Sequence, residues 1–153
     1  MSGIFNDENG GWDTYNMYLE YANISPSEIK TLDLSSWNTS KVDAMTEMFR
    51  GCKSLTKLDI SGFNTSNVEY MEGMFEECES LTELDLSHFN TSNVINMSNI
   101  FYKCKSLTKL NLYGWDTSKA GTMCYMFNGC ENLTNISISH FNTSNVDDMY
   151  CMF

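Results

Sequence analysis

The chain has 153 residues, 42% of them hydrophobic and 13% aromatic, with Asp+Glu 20 against Lys+Arg 9 and a net charge of −11. That apolar content argues against disorder, and the acidic balance argues against direct binding to a phosphate backbone, which needs clustered Lys and Arg. No stretch approaches the ~18–20 apolar residues that cross a bilayer, and the start, MSGIFNDENGGW, has neither the basic nor the apolar region of a signal peptide. As written the chain is expected to be cytoplasmic, with a cell-surface location the alternative if a leader was removed.

In chain order, residues 1–31 come first and do not repeat cleanly. Trp12-Asp13-Thr14 echoes Trp37-Asn38-Thr39, and Tyr15, Tyr18, Leu19 and Ala22 trace one helical face ahead of Pro26. This reads as a degenerate first unit capping the N-terminus of an array, as terminal repeats normally do.

From residue 32 a period takes over. Leu32, Leu58, Leu84, Leu110 and Ile136 lie 26 residues apart, so residues 32–153 form a single domain of five units, the last incomplete, each burying its apolar face against its neighbours. In the second unit Leu55-Thr56-Lys57-Leu58-Asp59-Ile60-Ser61 alternates around Leu58 and Ile60, the pattern of a short strand with one buried face. Gly62-Phe63-Asn64-Thr65-Ser66 is a turn ending in residues suited to an N-cap. Val68, Met71, Met74 and Phe75 then follow helical spacing over about three turns. The expected fold class is therefore α/β: a leucine-rich-repeat-like solenoid of strand–turn–helix units, with a parallel sheet on one face, short helices on the other and right-handed crossovers.

Most repeated positions are core. Met45, Met71, Met97, Met123 and Met149 form one column, and Phe49, Phe75, Phe101, Phe127 and Phe153 a spine. Trp37, Phe63, Phe89, Trp115 and Phe141 form an aromatic column, while Cys52, Cys78, Cys104 and Cys130 read as buried, reduced thiols. Cys124 and Cys151 fall outside that column and are the more reactive or exposed candidates. Asn38-Thr39-Ser40 recurs at Asn64, Asn90 and Asn142, with Asp116-Thr117-Ser118 as a variant. Each Asn-Thr-Ser is formally a glycosylation sequon, but a turn motif that must recur with the repeat is the structural reading.

The strings MFRGCKSLTKLDISGFNTSNVEYM from Met48 and MFEECESLTELDLSHFNTSNVINM from Met74 carry a resemblance. Residues 27–153 resemble the BspA-like leucine-rich repeats of the DUF285 group, found in bacterial surface proteins, with similar arrays in some protists and phages. The resemblance implies the solenoid fold and a surface for adhesion or protein binding. One departure is that Phe63 precedes Asn64 where the standard motif places a buried asparagine, which puts the usual asparagine ladder in doubt.

Function is expected at positions the repeat does not dictate. On the strand face, Asp33, Asp59 and Asp85 stack ~4.8 Å apart, with Glu83 beside them, as an acidic stripe for a basic partner. The bland alternative is that neighbouring Ser and Lys groups offset the repulsion. On the expected helix face, Glu69, Glu72, Glu76 and Glu77 run without Lys or Arg among them, and Tyr70, Tyr102 and Tyr125 add interface-type aromatics. At the far end Ile136, Ile138, Met149, Met152 and Phe153 leave apolar columns unfinished, a place for a homodimer contact. Catalysis finds little support: His88 and His140 share one column two units apart, and there is no nucleophile motif, phosphate loop or zinc-type cysteine pair. No cofactor or metal is expected. The reading is a non-enzymatic module binding a basic protein partner, with no direct nucleic-acid or membrane contact. Its alternatives are a small phage- or mobile-element-type intracellular inhibitor occupying a target's nucleic-acid site, and a fragment of a bacterial surface adhesin.

Overall fold

The structure is a computed structural model that describes residues 25–153. The helical face expected around Tyr15 to Ala22, and most of the N-terminal capping unit, lie outside the described residues. Within them a 3₁₀ turn, Pro26–Glu28, is followed by four short strands: β1 Thr31–Asp33, β2 Lys57–Asp59, β3 Glu83–Asp85 and β4 Lys109–Asn111. β1 pairs with β2 and β3 with β4, both parallel, with Leu32 opposite Leu58 and Leu84 opposite Leu110. Each pairing joins residues one repeat apart, so successive units lie as parallel coils, one on the next.

The α/β expectation fails on both faces. Instead of one parallel sheet running through five units, the described residues hold two separate two-stranded pairs, with no strand at Ile136 or Ile138 in the last coil. On the opposite face no α-helix occurs among the described residues; where helices were expected, each coil runs through a chain of tight turns. Two columns force this. Glu47, Gly73, Asn99, Tyr125 and Cys151 all have positive φ, and so do Gly51, Glu77, Lys103 and Gly129. A left-handed residue every fourth position cannot lie within a right-handed helix. In the first coil Met48 N–H bonds the Met45 carbonyl and Cys52 N–H the Phe49 carbonyl, closing turns whose third residues are Glu47 and Gly51. Positive φ at that place is the signature of a type II turn.

The turns free alternate amides to bond sideways rather than along an axis. Met45, Glu47, Phe49 and Gly51 donate to the carbonyls of Tyr70, Glu72, Met74 and Glu76 in the next coil, at 2.6 to 2.9 Å. The same pattern links each later coil to its successor, and isolated parallel bridges run from Ala44 through Tyr70, Asn96 and Thr122 to Asp148. The main chain's hydrogen-bonding demand is met between coils. Apolar residues still fall at spacings of three and four, because a turn of this kind brings the chain back to the core face about as often as a helix does.

The core is one cluster containing the methionine, phenylalanine and cysteine columns of the inner coils. The phenylalanine spine stacks face to face, from Phe49–Phe75 at 5.5 Å through Phe75–Phe101 at 5.8 Å and Phe101–Phe127 at 5.6 Å to Phe127–Phe153 at 5.5 Å. Each stacked pair contributes about 0.5–1.5 kcal/mol beyond its buried area. Cys78, Cys104 and Cys130 are in no disulfide and donate their thiols to the carbonyls of Phe49, Phe75 and Phe101.

A threonine ladder occupies the role that an asparagine ladder has in the standard repeat. Thr39, Thr65, Thr91 and Thr117 are 1–2% exposed. Each hydroxyl donates to a carbonyl of the next coil's Asn-Thr-Ser or Asp-Thr-Ser segment and accepts that same residue's N–H, as from Thr65 to Asn90 at 3.1 and 2.8 Å. The preceding Asn or Asp makes an Asx turn, its Oδ1 accepting the N–H two residues on: Asn64 from Ser66 at 3.0 Å, Asp116 from Ser118 at 2.9 Å. The recurring motif is thus a turn, and caps no helix.

Candidate partner-binding faces

The strand face carries Asp33, Asp59 and Asp85, and a local device holds each carboxylate. Asp33 Oδ1 accepts the Ser35 N–H at 3.1 Å and the Ser35 hydroxyl at 2.7 Å. Asp59 accepts the same pair of bonds from Ser61 at 3.1 and 2.7 Å, and Asp85 accepts the Ser87 N–H at 2.9 Å. Hydrogen bonds to the charged form favour it. The Ser35 hydroxyl and then its N–H hold the Asp33 carboxyl below its ordinary value, and the Ser87 N–H leads for Asp85. Among the described residues no Lys or Arg lies within ion-pair distance of the three, whereas Glu83 pairs with Lys109 at 2.5 Å.

The turn face differs. The acidic run of residues 69–85 lacks cations in sequence, but the flanking coils supply them. Arg50 lies 3.3 Å from Glu76 and 2.6 Å from Glu47. Lys53 lies 3.1 Å from Glu77 and 3.4 Å from Glu79; Lys103 reaches Glu77 at 3.4 Å and Lys105 reaches Glu79 at 2.8 Å. The Lys53 hydrogen bond leads in holding the Glu77 carboxyl below its ordinary value, and Lys105 does so for Glu79. Glu76 is pushed up, chiefly by its burial, against the pull of Arg50. Glu72 accepts from the Asn96 amide at 3.0 Å, and Glu69 is exposed with no ion pair among the described residues.

These residues, expected on a helix, sit on turns, so the tyrosines meet differently. Tyr102 and Tyr125 pack edge to face at 5.8 Å and Tyr125 and Tyr150 at 5.4 Å, a diagonal across three repeat columns, with Lys103 Nζ 4.7 Å above the Tyr102 ring. Tyr70 is 43% exposed and makes no ring contact of this kind among the described residues. Sequence reasoning missed Tyr113, which is 80% exposed. Its signal was available, since it replaces serine in the column of Ser35, Ser61, Ser87 and Ser139.

In the last coil Ile136, Ile138 and Met152 are half-buried, whereas Met149 and Phe153 are 48% and 68% exposed. His88 and His140 are not near one another: their Nε2 atoms sit 3.1 and 3.2 Å from the carbonyls of Ile60 and Leu112, and each ring meets the following Phe edge-on. Among the described residues no group of three or more His, Cys, Asp or Glu is placed to hold a metal ion.

Parallel coils joined by side-to-side bonds, with recurring core columns, define a repeat protein. The chain belongs to the family described as "Mycoplasma protein of unknown function, DUF285", whose model matches residues 13–112 and 106–153. This bears out the resemblance read from the repeat strings. No curated protein and no solved structure matches the chain.

Proposed function

We propose that the protein is a non-enzymatic protein-binding module that takes a basic partner on its strand face through Asp33, Asp59 and Asp85. One contrast supports this reading. On the turn face Glu76, Glu77 and Glu79 are ion-paired with the chain's own Arg and Lys. The three aspartates are instead held in place by serine hydroxyls and amides, which orient a carboxylate without neutralising it, and Lys57 acts on Asp33 only from beyond ion-pair distance. Charges fixed in this way cost little to order on binding and favour encounter with a partner of opposite sign.

Calorimetric titration with a lysine-rich peptide tests the reading. Changing the three aspartates together to Asn keeps the turn-forming acceptor, as Asn111 shows by accepting the Tyr113 N–H at 3.1 Å in the same column. The triple variant should bind about five- to tenfold more weakly, the sum of three exposed charge contacts. Unchanged affinity would overturn the assignment.

A further inference from the structure

The strand side and the turn side of the coil stack are bonded differently. On the turn side every neighbouring pair of coils is joined. On the strand side the ladder is intermittent. Between the first two coils Leu34 N–H reaches the Asp59 carbonyl at 2.8 Å and Thr56 N–H the Lys30 carbonyl at 2.9 Å. Between the third and fourth, Leu86 reaches Asn111 and Thr108 reaches Thr82, both at 2.9 Å. Among the described residues no equivalent bond joins the second coil to the third, through Ile60 and Thr82, or the fourth to the fifth, through Leu112 and Thr134. Glu83 follows the same division, pairing with Lys109 across the bonded seam and with no cation across the open one.

One repeat column alternates in step. The bonded seams have Gly62 and Gly114 at the position where the open seams have His88 and His140. A Cβ on Gly62 would stand 1.9 Å from the Ser35 carbonyl oxygen, so that seam closes only over a glycine. Gly114, at φ +84, has the Ser87 carbonyl 3.7 Å from its Cβ position. At the open seams the imidazole lies across the gap instead, its Nε2 against the carbonyl of Ile60 or Leu112. Those are the residues whose own amides lack the ladder bond. A carbonyl bond from a side chain is not in itself what opens a seam, because the Trp115 indole meets the Leu86 carbonyl at 3.0 Å across a bonded one. The alternation of glycine and histidine is what tracks the gap.

We infer that His88 and His140 are wedges that hold alternate strand-side seams unzipped, dividing the strand face into two-coil blocks hinged on the continuous turn-side ladder. Asp33 and Asp59 share one block, and Asp85 begins the next. The division stands whether or not those aspartates bind a partner.

Amide hydrogen exchange followed by NMR on the whole chain tests this. In the native protein Ile60, Thr82, Leu112 and Thr134 should exchange roughly tenfold faster than Leu34, Thr56, Leu86 and Thr108, the difference one ladder bond makes. Burial does not explain such a split, since Ile60 and Leu112 are as buried as Leu34 and Leu86. The His88→Gly variant should slow Ile60 and Thr82 by about the same factor and leave Leu112 and Thr134 unchanged. Gly114→His should do the reverse to Leu86 and Thr108. Equal protection of the two native sets, or no change at Ile60 and Thr82 in H88G, would overturn the inference.

Discussion

The Thr91 hydroxyl accepts the Asp116 N–H at 2.8 Å and donates to the carbonyl of the same residue at 2.9 Å, so one buried oxygen satisfies both main-chain groups of the coil beside it. Thr91→Val keeps the shape and removes both bonds, leaving two polar groups without partners. At about 1–3 kcal/mol for each orphaned group, the variant should lose about 3 kcal/mol in urea unfolding. Thr91→Ser keeps the hydroxyl and should lose about 1 kcal/mol, for the methyl group alone.

Two glycines should fail for different reasons. Gly51 has φ +72 and open space around its Cβ position, so Gly51→Ala should cost only the left-handed penalty, about 1–2 kcal/mol. A Cβ on Gly62 would stand 1.9 Å from the Ser35 carbonyl oxygen, so Gly62→Ala must push coils apart. The measured loss should exceed that of Gly51→Ala by about 1–3 kcal/mol, the usual range for overpacking, with loss of protection at Leu34 and Thr56.

Thiol reactivity should sort by burial. Burial raises the Cys78 and Cys104 thiols far above their ordinary value and Cys130 to about 11. The thiolate is the reacting form. A chromogenic disulfide reagent at pH 8 should therefore modify exposed Cys151 first and Cys78 and Cys104 only on unfolding. Early labelling of Cys104 would contradict the packed cysteine column.

The turn-face ion pairs bound stability from both sides in pH. Glu77 and Glu79 sit below the ordinary glutamate value of 4.5 in the folded chain, so their contribution is full above 4.5 and is lost as pH falls through the lowered values. Lys53 and Lys103 are raised above 10.5 by Glu77, so theirs is present below 10.5 and is lost as pH rises past it. Glu76 works the other way, because its raised value favours the fold at low pH. Thermal unfolding should show a plateau between these limits, and Lys53→Met should shrink its acid-side slope.

The period and the core were readable in the sequence, because Leu84, Met97, Phe101 and Cys104 recur wherever burial must. The helices were misread for a physical reason: Val68, Met71, Met74 and Phe75 carry helical spacing, but a chain of tight turns presents the same spacing to the core. Gly51, Gly73 and Gly129 marked the turns. Glu77, Lys103 and Tyr125 hid them by taking left-handed conformations that such residues rarely adopt. The charge pattern misled similarly. Residues 69–85 look uncompensated in line, but one repeat away in sequence is next door in space, which brings Lys53 and Lys105 onto Glu79.

The contrast between ion-paired glutamates on the turn face and the serine-held aspartates of the strand face can be checked by mapping a bound lysine-rich peptide with ¹⁵N chemical shifts. The amides of Ser35, Ser61 and Ser87, which bond the three aspartates, should shift first and most, while those of Gly51, Glu77 and Lys103 stay in place. Shifts centred on Glu76, Glu77 and Tyr102, with the strand-side serines unmoved, would contradict the strand-face reading.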